Sequence, residues 1–175
     1  FVSRGFGLTT TRADNQRLAI WSRRQPEGLQ TLYYRALVEM RKRADPVVAG
    51  RAPEIDKPHL SGADLIAATA ILDEARQKSA DLDTLVAQLA QRFESPSARD
   101  EYVALLLDRR SSTRERVERV AELLAIAEFP ARSLHGIHLT QVGPGSAVLS
   151  HWLEVWDRDH WQVYDGATGA PGDIQ

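Results

Sequence analysis

The stretch "SHWLEVWDRDHWQVYDG", residues 150–166, holds two short runs rich in tryptophan, valine and other strand formers on either side of a central Asp-Arg-Asp. That pattern predicts two short antiparallel strands joined by a tight turn. His151 opens the first strand and Asp165 closes the second, a pair suited to orienting an imidazole beside a nucleophile. The nucleophile has to be sought upstream. It cannot be a thiol, because the chain contains no cysteine.

Working back, "TQVGPGSA" (140–147) reads as a loop and "PARSLHGIHL" (130–139) as a further strand. Before them, "SSTRERVERVAELLAIAEF" (111–129) predicts a helix with Ser112 as N-cap. Glu115, three residues on, completes a capping box and leaves Thr113 in the first turn. Val117, Val120, Ala121, Leu124 and Ala127 form its buried side. Three earlier helices are expected. One starts from a Ser61-x-x-Asp64 cap, and one is capped by Asp81 with Leu85, Val86, Leu89 and Phe93 as its stripe. The third has Pro96 at its first position after Ser95.

The N-terminal part has a different period. "RLAIWSRR" (17–24) and "LQTLYYRALVEM" (29–40) are rich in strand formers and flank the turn-forming "QPEG", which predicts a hairpin. In its second arm Leu32, Tyr34, Ala36, Val38 and Met40 share one face. Residues 43–60 hold three prolines without periodicity and read as a linker. The division is therefore a β unit with linker over 1–58 and a second domain over 59–175. "EMRKRAD" (39–45) is read as solvated charge.

A hydrophobic content of 43% over 175 residues permits a packed core. Lys and Arg number 22 against 24 Asp and Glu, a net charge of -2, which argues against nucleic acid or an anionic membrane surface as partner. The absence of cysteine excludes thiolate metal sites and disulfides and leaves the redox compartment open. No apolar run reaches the roughly 18 residues needed to cross a bilayer. The sequence begins at Phe1 and ends on "GAPGDIQ", and is expected to be a piece of a longer protein.

The order helix, strand, loop, hairpin, with the phrases "EFPAR" (128–132), "HWLEVW" (151–156) and "VYDG" (163–166), resembles the transglutaminase-like superfamily over about residues 60–170. Members of that superfamily carry "GIPAR", "HAWVEV" and "FDP" at these places. The resemblance implies an α+β fold: a transglutaminase-like (papain-like) core with helices packed on an antiparallel sheet, plus the N-terminal β unit. It also implies a Cys-His-Asp triad, in which His151 and Asp165 match the histidine and the aspartate and the family's spacing puts the cysteine at Thr113. A secondary hydroxyl there has no thiolate chemistry. Arg116, Glu118 and Arg119 also interrupt a helix that is mostly apolar in active members.

A narrower resemblance, carried by "QTLYYRALV" before the helical core, is to bacterial inactive transglutaminase-like domains fused to seven transmembrane helices. It implies a non-catalytic periplasmic domain of an inner-membrane protein that senses or binds a ligand or partner. The ligand would be a peptide or a peptidoglycan-like fragment, and the partners a retropepsin-like protease or an ATP-grasp system. The binding cleft would gather Thr113, His151, Asp165, Ser112 and Trp152. The alternative is an amide hydrolase or acyltransferase using Thr113 or Ser112 with His151 and Asp165.

His135, His138, His151 and His160 could suggest a metal site. However, His135 and His138 differ in strand parity and His160 is expected in the hairpin turn, so no metal and no cofactor is expected. Trp152, Trp156 and Trp161 read as hairpin packing, with room for one ring at a cleft rim.

Overall fold

The computed structural model describes residues 5–13, 16–25, 27–28, 52–58, 60–96, 100–108, 110–137 and 149–172. The chain divides into two compact units, Phe1–Ala44 and Asp45–Gln175.

In the first unit β1 (Gly7–Ala13) pairs antiparallel with β2 (Gln16–Ser22), in register from Gly7↔Ser22 to Ala13↔Gln16. β2 coincides with the strand expected from "RLAIWSRR", but its described partner is β1. The sequence hides β1 because "GLTTTRA" is β-branched without an alternating apolar face. The expected second arm, 29–40, lies outside the described residues, as does most of the linker. Residues 52–58 form neither helix nor strand.

The second unit begins with three helices, α1 (Gly62–Gln77), α2 (Leu82–Glu94) and α3 (Glu101–Leu106). The Asp81 carboxylate accepts from Thr84 N–H at 2.9 Å, closing a capping box on α2. Ser61 takes the N-cap position of α1 but makes no side-chain cap hydrogen bond. Gly62 follows at φ 56, in the left-handed region that glycine adopts without strain. The expected start of α3 at Pro96 is also corrected. Ser95 ends α2, and α3 starts after Asp100, whose carboxylate accepts from Val103 N–H at 3.1 Å and from Arg92 Nε at 3.0 Å. The charged cap, held from both sides, prevails over proline's preference for a first turn.

α4 (Thr113–Ile126) is followed by β3 (Ala131–Ile137), β4 (Leu149–Asp157) and β5 (His160–Asp165). The strands form an antiparallel sheet in the order β3-β4-β5. Helices and antiparallel sheet in one chain make this an α+β protein. The core joins Ile71 and Leu72 of α1, Val86, Leu89 and Phe93 of α2, Val117, Leu123 and Leu124 of α4, and Leu153, Val155 and Tyr164 of the sheet. The five residues expected on the buried side of α4 are all buried.

Tyr164 ties the sheet to α2. It is fully buried, and its hydroxyl donates to Asp83 Oδ1 at 2.7 Å. Burial first, and the Asp83 carboxylate second, push its pKa well above the usual phenol value. Beyond β5 the chain turns back along the strand, with Asp165 N–H donating to Ala170 O (2.9 Å) and Gly172 N–H to Val163 O (2.7 Å). Gly169, at φ 67, sits against Val86 and Ala87 of α2, where a Cβ would lie 2.7 Å from the Ala87 Cα.

Candidate functional site

The start of α4 is closed by its own side chains. Ser112 Oγ accepts from Glu115 N–H at 3.3 Å and donates to Glu115 Oε2 at 2.8 Å, while Ser112 N–H donates to the same oxygen at 2.7 Å. The backbone N–H of Ser112, and next its hydroxyl, hold the Glu115 carboxyl below its usual range. The Ser112 proton is thus directed onto a carboxylate and not toward an imidazole. Thr113 follows as the first helical residue, half-buried.

Two contacts fix the direction of α4 on the sheet. Near its start, Gly166 lies between Val117 and the His151 backbone: a Cβ there would be 2.6 Å from Val117 Cγ2 and closer still to the His151 carbonyl oxygen. Past its end, Trp156 N–H donates to Pro130 O at 2.8 Å. α4 therefore runs alongside β4 from the His151 end to the Trp156 end. Thr113, one turn before Val117, belongs to the same end of the sheet as His151 and Asp165.

The register then separates the last two. Asp165 pairs with Trp152, whereas His151 pairs with His135 of β3. Directly paired residues share a face and successive residues alternate. His151 thus lies on the face of Leu153 and Val155, while Asp165 lies on the opposite face with Trp152 and Ser150. The expected bond between His151 and Asp165 is not made. Asp165 Oδ1 instead accepts from Ala167 N–H (3.1 Å), Thr168 N–H (2.8 Å) and Thr168 Oγ1 (2.8 Å), shaping the turn after β5.

The Asp165 face carries the tryptophans. Trp152 lies over Gly136, where a Cβ would come within 3.0 Å of the indole. Trp156 and Trp161 form an edge-on pair with centroids 5.6 Å apart. Arg132 stacks 4.2 Å over the Trp161 ring and donates through Nε to Glu154 at 2.7 Å. The buried Trp156 indole N–H has no hydrogen-bond partner among the described residues. His160 is the first residue of β5 and not part of the turn, with Nδ1 2.8 Å from Asp159 Oδ1. His138 lies outside the described residues. Among those described, no group of three or more His, Asp or Glu is placed to hold a metal.

A cleft of about 280 Å³ opens on the other side of α4, lined by Leu106, Leu107, Asp108, Ser111, Glu115, Glu118, Arg119 and Glu122. Thr113, His151, Asp165, Ser112 and Trp152 do not line it. Its walls carry four carboxylates and one guanidinium, and Arg119 is occupied by Glu122 at 2.5 Å. The sequence held the signal for this stripe, since positions 115, 118, 119 and 122 fall three and four apart. The charges that interrupt α4 are accommodated on its half-open flank. Arg116 pairs with Glu94 of α2 and donates to Ser111 O at 3.0 Å, and Arg114 pairs with Glu118 at 2.8 Å.

Together these features define an α+β domain whose candidate catalytic helix offers the Ser112 hydroxyl, bound to Glu115, and the Thr113 hydroxyl, and no thiol. The chain belongs to the family described as inactive transglutaminase fused to 7 transmembrane helices, which it matches over residues 1–110. That match takes in the β unit and the first three helices. α4 and the sheet, where Thr113, His151 and Asp165 lie, fall outside it. No curated protein and no solved structure matches the chain. No described helix is long and apolar enough to cross a membrane.

Proposed function

We propose that the chain acts as a non-catalytic, periplasmic ligand- or partner-binding domain of a multi-pass inner-membrane protein. Residues 59–175 form a degenerate transglutaminase-like core in which Thr113 stands at the cysteine position. The observation that carries the non-catalytic reading is the strand register: Asp165 is opposite Trp152 and His151 is opposite His135. A base must be oriented by its carboxylate to take a proton in one direction, and these two groups lie on opposite faces of the sheet. The Ser112 hydroxyl is bound to Glu115, and a threonine hydroxyl near neutral pH stays protonated. The membrane-fused family supports the setting. The ligand class is a peptide, a peptidoglycan-like fragment or the tail of a retropepsin-like or ATP-grasp partner, taken at the α4 start around Thr113, Ser112 and His151; Trp152 and Asp165, on the opposite face of the sheet, are not part of that surface.

The test is turnover. The purified chain is incubated with glutamine-containing peptides and an amine, and separately with peptide amides. No product above buffer is expected. Turnover that disappears in both Thr113→Ala and His151→Ala, with the fold retained, overturns the reading in favour of an amide hydrolase or acyltransferase. For location, an alkaline phosphatase fusion within this segment of the full-length protein should be active.

A further inference from the structure

The sheet brings together two imidazoles that sequence parity gave no reason to pair. His135 of β3 and His151 of β4 are directly opposite in the antiparallel ladder, with ring centroids 6.3 Å apart and planes tilted by 40°. Neither ring has a hydrogen bond to a described residue. His135 is exposed and His151 half-buried. Their neighbours on the same face are Ser133 and Leu153 on one side and Ile137 and Leu149 on the other, none of them a cation. The geometry points to a two-histidine site for a divalent late transition-metal ion, of the Zn²⁺, Ni²⁺ or Cu²⁺ class, spanning β3 and β4.

Neutral imidazole is a preferred ligand of these ions. An ion ~2.1 Å from one nitrogen of each ring sets the centroids roughly 5 to 6 Å apart. The observed spacing closes to that by a modest rotation of the exposed His135 ring. Two strand-fixed ligands act as a chelate, and the remaining positions of the ion stay open to water or to a donor on a bound partner. Such an ion would join β3 to β4 at the end of the sheet where α4 begins. It is not needed for folding, because the core lies elsewhere in the sheet.

The experiment is a titration of the purified chain with NiCl₂ by calorimetry, repeated on His135→Ala, His151→Ala, the double variant and the control His160→Ala. One ion per chain is expected. Affinity should fall at least tenfold in either single variant, with little further loss in the double variant, since removing one arm already destroys the chelate. His160→Ala should bind like the parent. Equal binding by the parent and the double variant overturns the proposal. So does a stepwise loss of capacity, which would mark independent histidines. His135→Ala changes an exposed side chain and keeps the fold, so it decides the matter alone should His151→Ala fail to fold.

Discussion

The two ends of the β3-β4-β5 sheet are built from the same strands and behave as different materials. Toward the middle, Leu153, Val155 and Tyr164 are 2%, 0% and 0% exposed under the helices. At the His151 end, on the same face, Ile137 and Leu149 are 44% and 60% exposed and two imidazoles face each other. The first region carries stability. The second leaves polar groups beside the start of α4, where side chains can be changed without disturbing the core.

The largest effect should come from the closed end. Leu153→Ala removes a buried side chain under α4 and is expected to cost about 3 kcal/mol, read as a lower urea midpoint at unchanged slope. Gly166→Ala attacks the boundary between the two regions. Its Cβ has no room between Val117 and the His151 carbonyl, so overpacking of about 2 kcal/mol is expected. A neutral result there would mean that α4 does not sit on the hairpin as described.

Tyr164→Phe sharpens the comparison further, at about 1 kcal/mol for the lost bond to Asp83. It also has a pH signature. The folded-state pKa of Tyr164 is raised, so its contribution is complete below the unfolded value near ~10 and is lost as pH climbs through the folded value. Ultraviolet titration should show Tyr164 ionising only as the domain unfolds.

The smallest effect belongs to the open end. Ser112→Ala removes a helix cap, expected at about 1 kcal/mol or less. Glu115, held below its usual value by Ser112, favours the fold above ~4.3 and loses that contribution as pH falls through its folded value. Ser112→Ala keeps the backbone N–H and removes only the hydroxyl, so it should reduce the acid limb of the melting temperature in part, whereas Glu115→Gln should remove this contribution.

What could be read from the sequence follows the same division. The start of α4 is legible because Ser112 and Glu115 stand at capping-box spacing, and the hairpin because two runs of strand formers flank the turn-forming Asp157-Arg158-Asp159. α3 was misplaced because Pro96 is a generic signal, while the Asp100 cap depends on Arg92, which α2 delivers from elsewhere in the chain. β1 carries threonines in place of an apolar face. The site was the least legible part. Which residue faces which across β3 and β4 depends on register, and period alone does not set register. The register sets His135 opposite His151, a pairing that parity along β3 does not reveal, and Asp165 serves its own turn and not His151.

The central claim is that catalysis is lost in the arrangement as well as in the missing thiol. Thr113→Cys restores the thiol and isolates the arrangement. Its alkylation rate, followed from pH 5 to pH 9 with and without His151→Ala, tests the claim most directly. The helix N-terminus lowers a thiol pKa by itself, so the comparison between the two profiles decides. The account predicts that the profiles coincide, with no histidine-dependent thiolate. A reactive thiolate at mildly acidic pH that vanishes with His151→Ala would contradict it.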